Sequence, residues 1–295
     1  MGIFLHDKMT LMNSINALQQ PIGIFDSGVG GLSVLRTIQK LLPYENLIYL
    51  GDQAHIPYGP RPKAQIQTFA FEITSFLLHQ GAKLIVVACN TASAAALVEL
   101  RQNFPDVPFV GMEPAVKPAA ETTKSGKVGV LATPTTFDGE LYASVVERFA
   151  KNVRIFQDTC PGLVELIEAG DVHGGRTRQI LEKGLQPMLT EGIDTIVMGC
   201  THYPFVIPLI QSITGSEVRI IDPAPAIAQQ ARRLLKQYHM LNTEKTPGEV
   251  RYFTSGETEK FLQILQILLG QTGSIEKVLW QEVLKLGDDL ATHLE

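Results

Sequence analysis

An apolar run that ends on a cysteine occurs twice in this sequence and constrains its fold more than any other feature. The first run, residues 84–88, is Leu-Ile-Val-Val-Ala and is followed by Cys89. The second, residues 195–199, is Thr-Ile-Val-Met-Gly and is followed by Cys200. Unbroken runs of this kind are typical of strands buried on both faces of a parallel sheet. Because ligands bind beyond the carboxyl ends of such strands, the two cysteines predict one site with a thiol on either side.

Strands and helices alternate along the chain, and this order predicts a doubly wound α/β architecture. Much of the order is repeated: residues 23–27 correspond to 129–133 at an offset of 106. From the next helix onward the offset is 111, which takes Gly81 onto Gly192 and Cys89 onto Cys200. Any two βαβ units resemble one another in their apolar strands, but glycines and a cysteine at a fixed offset favour duplication. We therefore expect two similar lobes whose strand ends face one another across a pseudo-twofold axis.

The repeat also predicts where the lobes begin and end. We expect an N-terminal extension over residues 1–20 and a C-terminal tail over residues 281–295. The first lobe would comprise residues 21–113 and 222–280, and the second lobe residues 114–221. Within the first lobe, the helix that follows Cys89 is expected to run from Ala94 to Asn103.

Composition narrows the possible functions. A chain of 295 residues that is 45% hydrophobic and 19% charged is typical of a soluble globular enzyme. Its net charge of -5 favours neither a nucleic-acid nor a membrane partner. Three cysteines without a CxxC pair argue against a disulfide framework or structural zinc, and favour a reducing compartment. The first twenty residues do not resemble a signal peptide, and no run approaches the ~20 apolar residues of a membrane span. We expect a cytoplasmic location.

The turn Asp26-Ser27-Gly28-Val29-Gly30-Gly31 resembles a dinucleotide-binding fingerprint, but two features argue against that function. The third glycine position is occupied by Ser33, and the Asp26 carboxylate stands where a pyrophosphate would approach. A carboxylate at a strand end is instead suited to orienting or deprotonating a neighbouring group. The glycines would let backbone N–H groups approach an anion.

Cys89 and Cys200 are the candidate chemical groups, although a buried cysteine can also serve only as a small packing residue. A thiol with a pKa near 8.5 requires about 2 kcal/mol to ionise at neutral pH. A helix N-terminus, or an imidazole such as that of His202, would reduce this cost. Polar groups after the cysteines can bind carboxylates at the helix starts. These groups are Asn90, Thr91 and Thr201.

Four other residues have no partner visible in the sequence. Cys160 has no counterpart in the first half of the chain, so we expect a structural role for it. For His55, His79 and His173 we expect surface or packing roles.

Four blocks in this order resemble the signature blocks of the glutamate racemases, in the aspartate/glutamate racemase superfamily. The blocks are residues 26–34 (DSGVGGLSV), 57–59 (PYG), 88–92 (ACNTA) and 199–204 (GCTHYP). The resemblance extends from about Pro21 to Leu269. It implies a cofactor-independent and metal-independent isomerase that supplies D-glutamate for peptidoglycan. The implied partners are small-molecule glutamate and a second copy in a homodimer, with neither nucleic acid nor membrane.

The resemblance also implies roles for particular residues. It assigns substrate binding to Asp26, Ser27, Tyr58, Gly59, Asn90, Thr91, Thr201 and His202. Glu168 matches a glutamate that these enzymes place near the histidine. One segment departs from the pattern: residues 53–55 are Gln-Ala-His where threonine-alanine-arginine is expected.

The chemistry of racemisation accounts for two thiols. An α-proton is removed from one face of the substrate and a proton is returned to the other, so two acid/base groups on opposite faces are the direct solution. The resemblance implies that Cys89 acts on D-glutamate with help from Asp26. Cys200 would act on L-glutamate with help from His202 and Glu168.

Three alternatives are compatible with parts of this pattern. An aspartate racemase would share the two-thiol logic but usually lacks the opening Asp-Ser-Gly. A cysteine hydrolase would need a single nucleophile and would form an acyl-enzyme. A non-catalytic binding protein would bind its ligand without exchanging the α-proton.

Overall fold

The structure, a computed structural model, describes residues 17–280, and its strands form two parallel sheets. The first sheet has six strands. They are β1 (Ile22–Asp26), β2 (Leu47–Gly51), β3 (Leu84–Val87), β4 (Phe109–Gly111), β9 (Val250–Thr254) and β10 (Ile275–Lys277). Their order across the sheet is β10-β9-β2-β1-β3-β4.

The second sheet has four strands and repeats the topology of the first. They are β5 (Lys127–Ala132), β6 (Arg154–Asp158), β7 (Thr195–Gly199) and β8 (Arg219–Ile221). Their order, β6-β5-β7-β8, is that of β2-β1-β3-β4 in the first sheet. The predicted class, α/β with two parallel-sheet lobes, is thus confirmed. The residue boundaries predicted for the lobes stay a prediction.

Helices connect the parallel strands, since each crossover must return the chain to the same end of the sheet. Those of the first half are α1 (Leu32–Leu41), α2 (Lys63–His79), α3 (Asn90–Asn103) and α4 (Val116–Thr122). Those of the second half are α5 (Pro134–Phe137), α6 (Glu140–Phe149), α7 (Leu163–Glu168), α8 (Gly175–Thr190), α9 (Ile207–Thr214), α10 (Ala224–Gln237) and α11 (Thr258–Leu269). A 3-10 turn, Tyr203–Val206, precedes α9.

Strand β3 shows why the sheet fixes the position of Cys89. All four of its residues are buried. Leu84 and Val86 pack into the hydrophobic cluster on one face of the sheet, and Ile85 and Val87 into the cluster on the other. A slip of the strand by one residue would exchange the two sets of side chains, so packing on both faces sets the register.

Helix α3 begins at Asn90, four residues before the predicted start at Ala94. Cys89 has an extended backbone and is the N-cap of this helix, because its Sγ accepts a hydrogen bond from the N–H of Ala92 at 3.4 Å. Cysteine is not a favoured N-cap residue, and asparagine, threonine and serine in the next turn are weak helix formers. The local sequence therefore concealed the start of the helix.

The two ends of the chain are described only in part. Residues 1–16 and the predicted tail 281–295 lie outside the described residues. Residues 17–20, predicted to belong to the extension, contact the first lobe: Lys83 Nζ donates to Leu18 O, and Asn46 Nδ2 donates to Gln19 O at 2.8 Å. Between residues 17 and 280 no helix is long and apolar enough to cross a membrane.

Candidate active site

The glycine-rich turn after β1 binds two carboxylates of the protein itself. Asp26 Oδ2 accepts hydrogen bonds from the backbone N–H of Gly31 at 2.9 Å and of Gly28 at 3.3 Å. The N–H of Val29 donates to Glu168 Oε1 at 2.6 Å, and Glu168 belongs to the second half of the chain. The sequence predicted that backbone groups of this turn approach an anion, and in this structure the anions are these two carboxylates.

The glycines of this turn are needed because side chains from the second half of the chain lie against it. A Cβ atom at Gly28 would lie 2.1 Å from Glu168 Oε1, and one at Gly30 would lie 2.4 Å from His202 Nδ1. Real Cβ contacts are never so short, so any larger residue would displace Glu168 or His202. The turn thus makes room for carboxylate and imidazole and is not a nucleotide fingerprint.

Cys89 lies between the carboxyl end of β3 and the first turn of α3, with its Sγ 3.9 Å from Ser27 Oγ. Burial, together with the nearby charge of Asp26, raises the pKa of the Cys89 thiol. The N-terminus of the 14-residue helix α3 acts in the opposite direction, because the N–H of Ala92 donates to Cys89 Sγ and a helix N-terminus stabilises a thiolate. Cys89 is therefore a protonated thiol in the protein without substrate. The N-terminus of α3 reduces the cost of removing its proton.

Cys200 follows β7 and lies in a line with an imidazole and a carboxylate. Its Sγ is 3.7 Å from His202 Nδ1, and His202 Nε2 is 2.6 Å from Glu168 Oε1. Burial alone would lower the pKa of His202, but its hydrogen bonds to Cys200 and Glu168 raise the pKa well above its usual value. A protonated imidazole stabilises a neighbouring thiolate, as in cysteine enzymes that use a histidine.

Glu168 completes this line from the short helix α7. Burial raises the pKa of its carboxyl, but hydrogen bonds from His202, Val29 and Gln53 outweigh burial and lower it. Glu168 is therefore the anionic partner of a protonated His202. The sequence identified Glu168 only by family resemblance, since 34 positions separate it from His202.

Both thiols line one cavity of about 160 Å³. Nine of the predicted residues line it: Ser27, Tyr58, Gly59, Cys89, Asn90, Thr91, Cys200, Thr201 and His202. Asp26 and Glu168 lie behind this wall, each next to a residue that lines it. Among the described residues that line the cavity there is neither lysine nor arginine. An anionic ligand would therefore be held by neutral donors, backbone N–H groups and His202.

Asn90 is a buried amide in the cavity wall with an unusual environment. It is 4% exposed, and neither its Oδ1 nor its Nδ2 has a hydrogen-bond partner among the described residues. A buried amide without partners is costly, which indicates that a ligand supplies them.

The wall that contains Tyr58 is fixed by a buried carboxylate. The hydroxyl of Tyr58 donates to Asp52 Oδ2 at 2.6 Å. Asp52 also accepts from Ser255 Oγ at 2.7 Å and from Trp280 Nε1 at 3.0 Å. His55 Nδ1 lies 3.0 Å from the same carboxylate, so His55 has a partner that its sequence context did not reveal. Tyr58 is therefore held rigidly at the edge of the cavity.

Hydroxyl groups join the two halves of the chain at the rim. Thr91 Oγ1 lies 3.0 Å from Thr133 Oγ1, and Thr135 Oγ1 donates to the carbonyl oxygen of Gly59. Thr133 lines the cavity and was missed by sequence reasoning, although the repeat offset of 106 makes it the counterpart of Ser27. The repeat thus pointed to Thr133, which none of the motifs includes.

Cys160 was expected to be structural, yet its buried side chain lines the same cavity. Its backbone has a φ of 43°, and its N–H donates to Asp158 Oδ1 at 2.7 Å. Burial, followed by the charge of Asp158, raises the pKa of its thiol. Among residues 17–280 Cys160 has no imidazole partner of the kind that Cys200 has, so its placement alone does not make it an acid or base.

Known proteins resemble this chain over most of its length. Residues 22–231 match the Asp/Glu/Hydantoin racemase family. A glutamate racemase from Ectopseudomonas mendocina is 49% identical over 261 residues, which cover 88% of this chain and 99% of that protein.

Solved structures give the same result. A glutamate racemase from Bacillus anthracis is 34% identical, with a TM-score of 0.79 over 88% of this chain and 97% of its own. The glutamate racemase of Escherichia coli, solved with L-glutamate and the activator UDP-MurNAc-ala, is 35% identical. Its TM-score is 0.78 over 88% of this chain and 98% of its own.

Proposed function

The chain belongs to the Asp/Glu/hydantoin racemase family, and we propose that it interconverts L-glutamate and D-glutamate with two thiols, Cys89 and Cys200. One observation is the main support for this proposal. The two cysteines follow equivalent strands of the two sheets, β3 and β7, and line the same cavity. Each has its own partner for handling a proton, as a reaction with two chemically distinct faces requires.

The contacts of Cys200 suit it to remove the α-proton of L-glutamate. His202, held protonated by Glu168, stabilises the thiolate that must be present before the proton is taken. Removal leaves a planar carbanion. The protonated thiol of Cys89 then donates its proton to the opposite face, which gives D-glutamate.

The reverse reaction uses the same groups in exchanged roles. Cys89 must first become a thiolate, which the N-terminus of α3 favours and which burial opposes. Asp26 is the buried carboxylate near this thiol, and burial raises the pKa of Asp26. A carboxylate whose proton affinity is raised towards that of a thiol is suited to assist its deprotonation.

The cavity would hold glutamate through neutral groups. Backbone N–H groups at the start of α3 and the side chains of Asn90, Thr91 and Thr201 would be the donors for its carboxylates. None of the described residues that line the cavity is a lysine that a Schiff-base cofactor would require. This lining argues only against a Schiff-base cofactor, and we propose from the family resemblance that the reaction needs no cofactor.

The function is tested by following α-proton exchange in heavy water with both enantiomers of glutamate and of aspartate. We expect both enantiomers of glutamate to exchange and to interconvert. Aspartate, one methylene shorter, should be about 10- to 200-fold slower in kcat/KM. Faster exchange of aspartate would instead identify an aspartate racemase. Binding of glutamate without exchange would identify a non-catalytic protein.

Asn90→Ala tests how substrate is captured. We expect KM for glutamate to rise at least about tenfold, because a buried hydrogen-bonding group is lost from the ligand complex. The melting temperature should not fall, since the amide has no partner among the described residues. Asn103→Ala, at the exposed end of the same helix, is the matched control for both measurements. A lower melting temperature with unchanged KM would show that Asn90 is structural.

Three further features are part of the proposal. The reaction would supply D-glutamate for peptidoglycan, the protein would act as a homodimer, and its location would be cytoplasmic. The first follows from the family, and the last from the composition and the unpaired cysteines.

A further inference from the structure

Gln53, which follows β2, joins the first lobe to Glu168. Its Nε2 donates a hydrogen bond to Glu168 Oε2 at 3.1 Å. Its Oε1 accepts one from Thr254 Oγ1 at 3.0 Å. A Cβ atom at Gly256 would lie 2.8 Å from the Cβ of Gln53, so the chain leaves room for this side chain.

The orientation of the Gln53 amide is fixed by a chain of donors. The backbone N–H of Gly256 donates to Thr254 Oγ1 at 3.0 Å, and a backbone N–H can only donate. The hydroxyl of Thr254 donates to Gln53 Oε1 at 3.0 Å, and at the other end of the amide the ionised Glu168 carboxylate can only accept. The amide group consequently presents its NH₂ end, and not its carbonyl oxygen, to Glu168. Every hydrogen bond in this chain points towards the carboxylate.

Glu168 uses its two oxygens for different partners. Oε1 faces His202 and the N–H of Val29, whereas Oε2 accepts from Gln53. Gln53 therefore stabilises the negative charge of Glu168 without competing for the oxygen that holds the imidazole. If this donor were lost, the proton between Glu168 and His202 would shift towards the carboxylate, and His202 would become neutral more often.

We propose that Gln53, oriented by Thr254, is a positioning residue that keeps Glu168 anionic and His202 charged for proton transfer at Cys200. The inference rests on the proposed racemisation only in its last step, because the Gln53–Glu168–His202 contacts exist in the protein without substrate. Since Gln53 acts through Glu168 and His202, and His202 contacts Cys200, its effect should fall mainly on the Cys200 face.

The test compares Gln53→Leu and Thr254→Val with Gln271→Leu. Gln271 is a suitable control because it also has two side-chain partners in the first lobe, Tyr252 and Gln39. The first readout is the ¹⁵N NMR signal of His202 at neutral pH. We expect it to move from imidazolium towards neutral imidazole in Gln53→Leu, less in Thr254→Val, and not in the control.

The second readout is catalytic. Gln53→Leu should lower kcat about tenfold and enlarge the primary deuterium isotope effect more for α-deuterated L-glutamate than for α-deuterated D-glutamate. Equal ¹⁵N signals and isotope effects in Gln53→Leu and Gln271→Leu would overturn the inference. If the wild-type protein does not exchange the α-proton, the proposed function fails instead, and the ¹⁵N comparison still decides whether Gln53 controls His202.

Discussion

Cys89→Ser and Cys200→Ser should each lower kcat for glutamate racemisation by about 10³-fold or more, and in both directions. The two thiols act on opposite faces of the substrate, and each turnover needs both of them. Serine keeps the size and polarity of the side chain but is far less acidic than cysteine. The loss should therefore reflect proton transfer and not packing.

Each variant should nevertheless retain one partial reaction. In Cys89→Ser the Cys200 thiolate can still remove the proton of L-glutamate and return a solvent-derived deuteron to the same face. Cys200→Ser should likewise exchange only D-glutamate. The measurement is α-proton exchange in heavy water by NMR, with the enantiomer ratio followed separately by chiral chromatography.

Cys160→Ser is the control, because the third thiol of the chain lines the same cavity. It should exchange and racemise both enantiomers, since a two-base mechanism requires only Cys89 and Cys200. Near-wild-type racemisation by Cys89→Ser or Cys200→Ser would contradict that mechanism. Exchange of both enantiomers by one of them would mean that a single base reaches both faces.

Asp26→Asn and His202→Asn should each reduce kcat by about 10²-fold, the lower end of the contribution of a general acid or base. The two substitutions act on different faces. Asp26 lies by Cys89, whereas Nδ1 of His202 lies 3.7 Å from the sulfur of Cys200. Each helper should therefore affect proton transfer mainly at its own thiol.

The difference will not be visible in kcat/KM, which must stay equal in the two directions because the equilibrium constant between enantiomers is one. It should be visible in primary deuterium isotope effects. Asp26→Asn should make transfer at Cys89 more rate-limiting and enlarge the effect with α-deuterated D-glutamate. His202→Asn should enlarge the effect with α-deuterated L-glutamate.

The two variants are controls for each other. A general loss of substrate binding would change both isotope effects alike in each variant. If both variants enlarge the effect for the same enantiomer, the assignment of helpers to faces is wrong, even if both thiols are essential.

The sequence by itself determined the α/β class, the duplicated strand order and the positions of the two cysteines at strand ends. Periodicity and apolar runs report burial, and burial on both faces is what fixes a central parallel strand. The repeat offset was sufficient to pair β3 with β7, and it also pointed to Thr133 as the counterpart of Ser27. These features depend on residues that are close together in the chain or on spacings that repeat.

Only the tertiary structure decided which groups assist each thiol. Cys89 is the N-cap of α3, while Cys200 is followed by a 3-10 turn and depends on His202, so equivalent cysteines have different environments. The contact between Val29 and Glu168 joins residues 139 positions apart. The sequence around Gln53 and Cys160 likewise contained no sign of their neighbours. Such contacts form where the ends of two sheets meet, and a local pattern cannot report a neighbour that another part of the chain supplies.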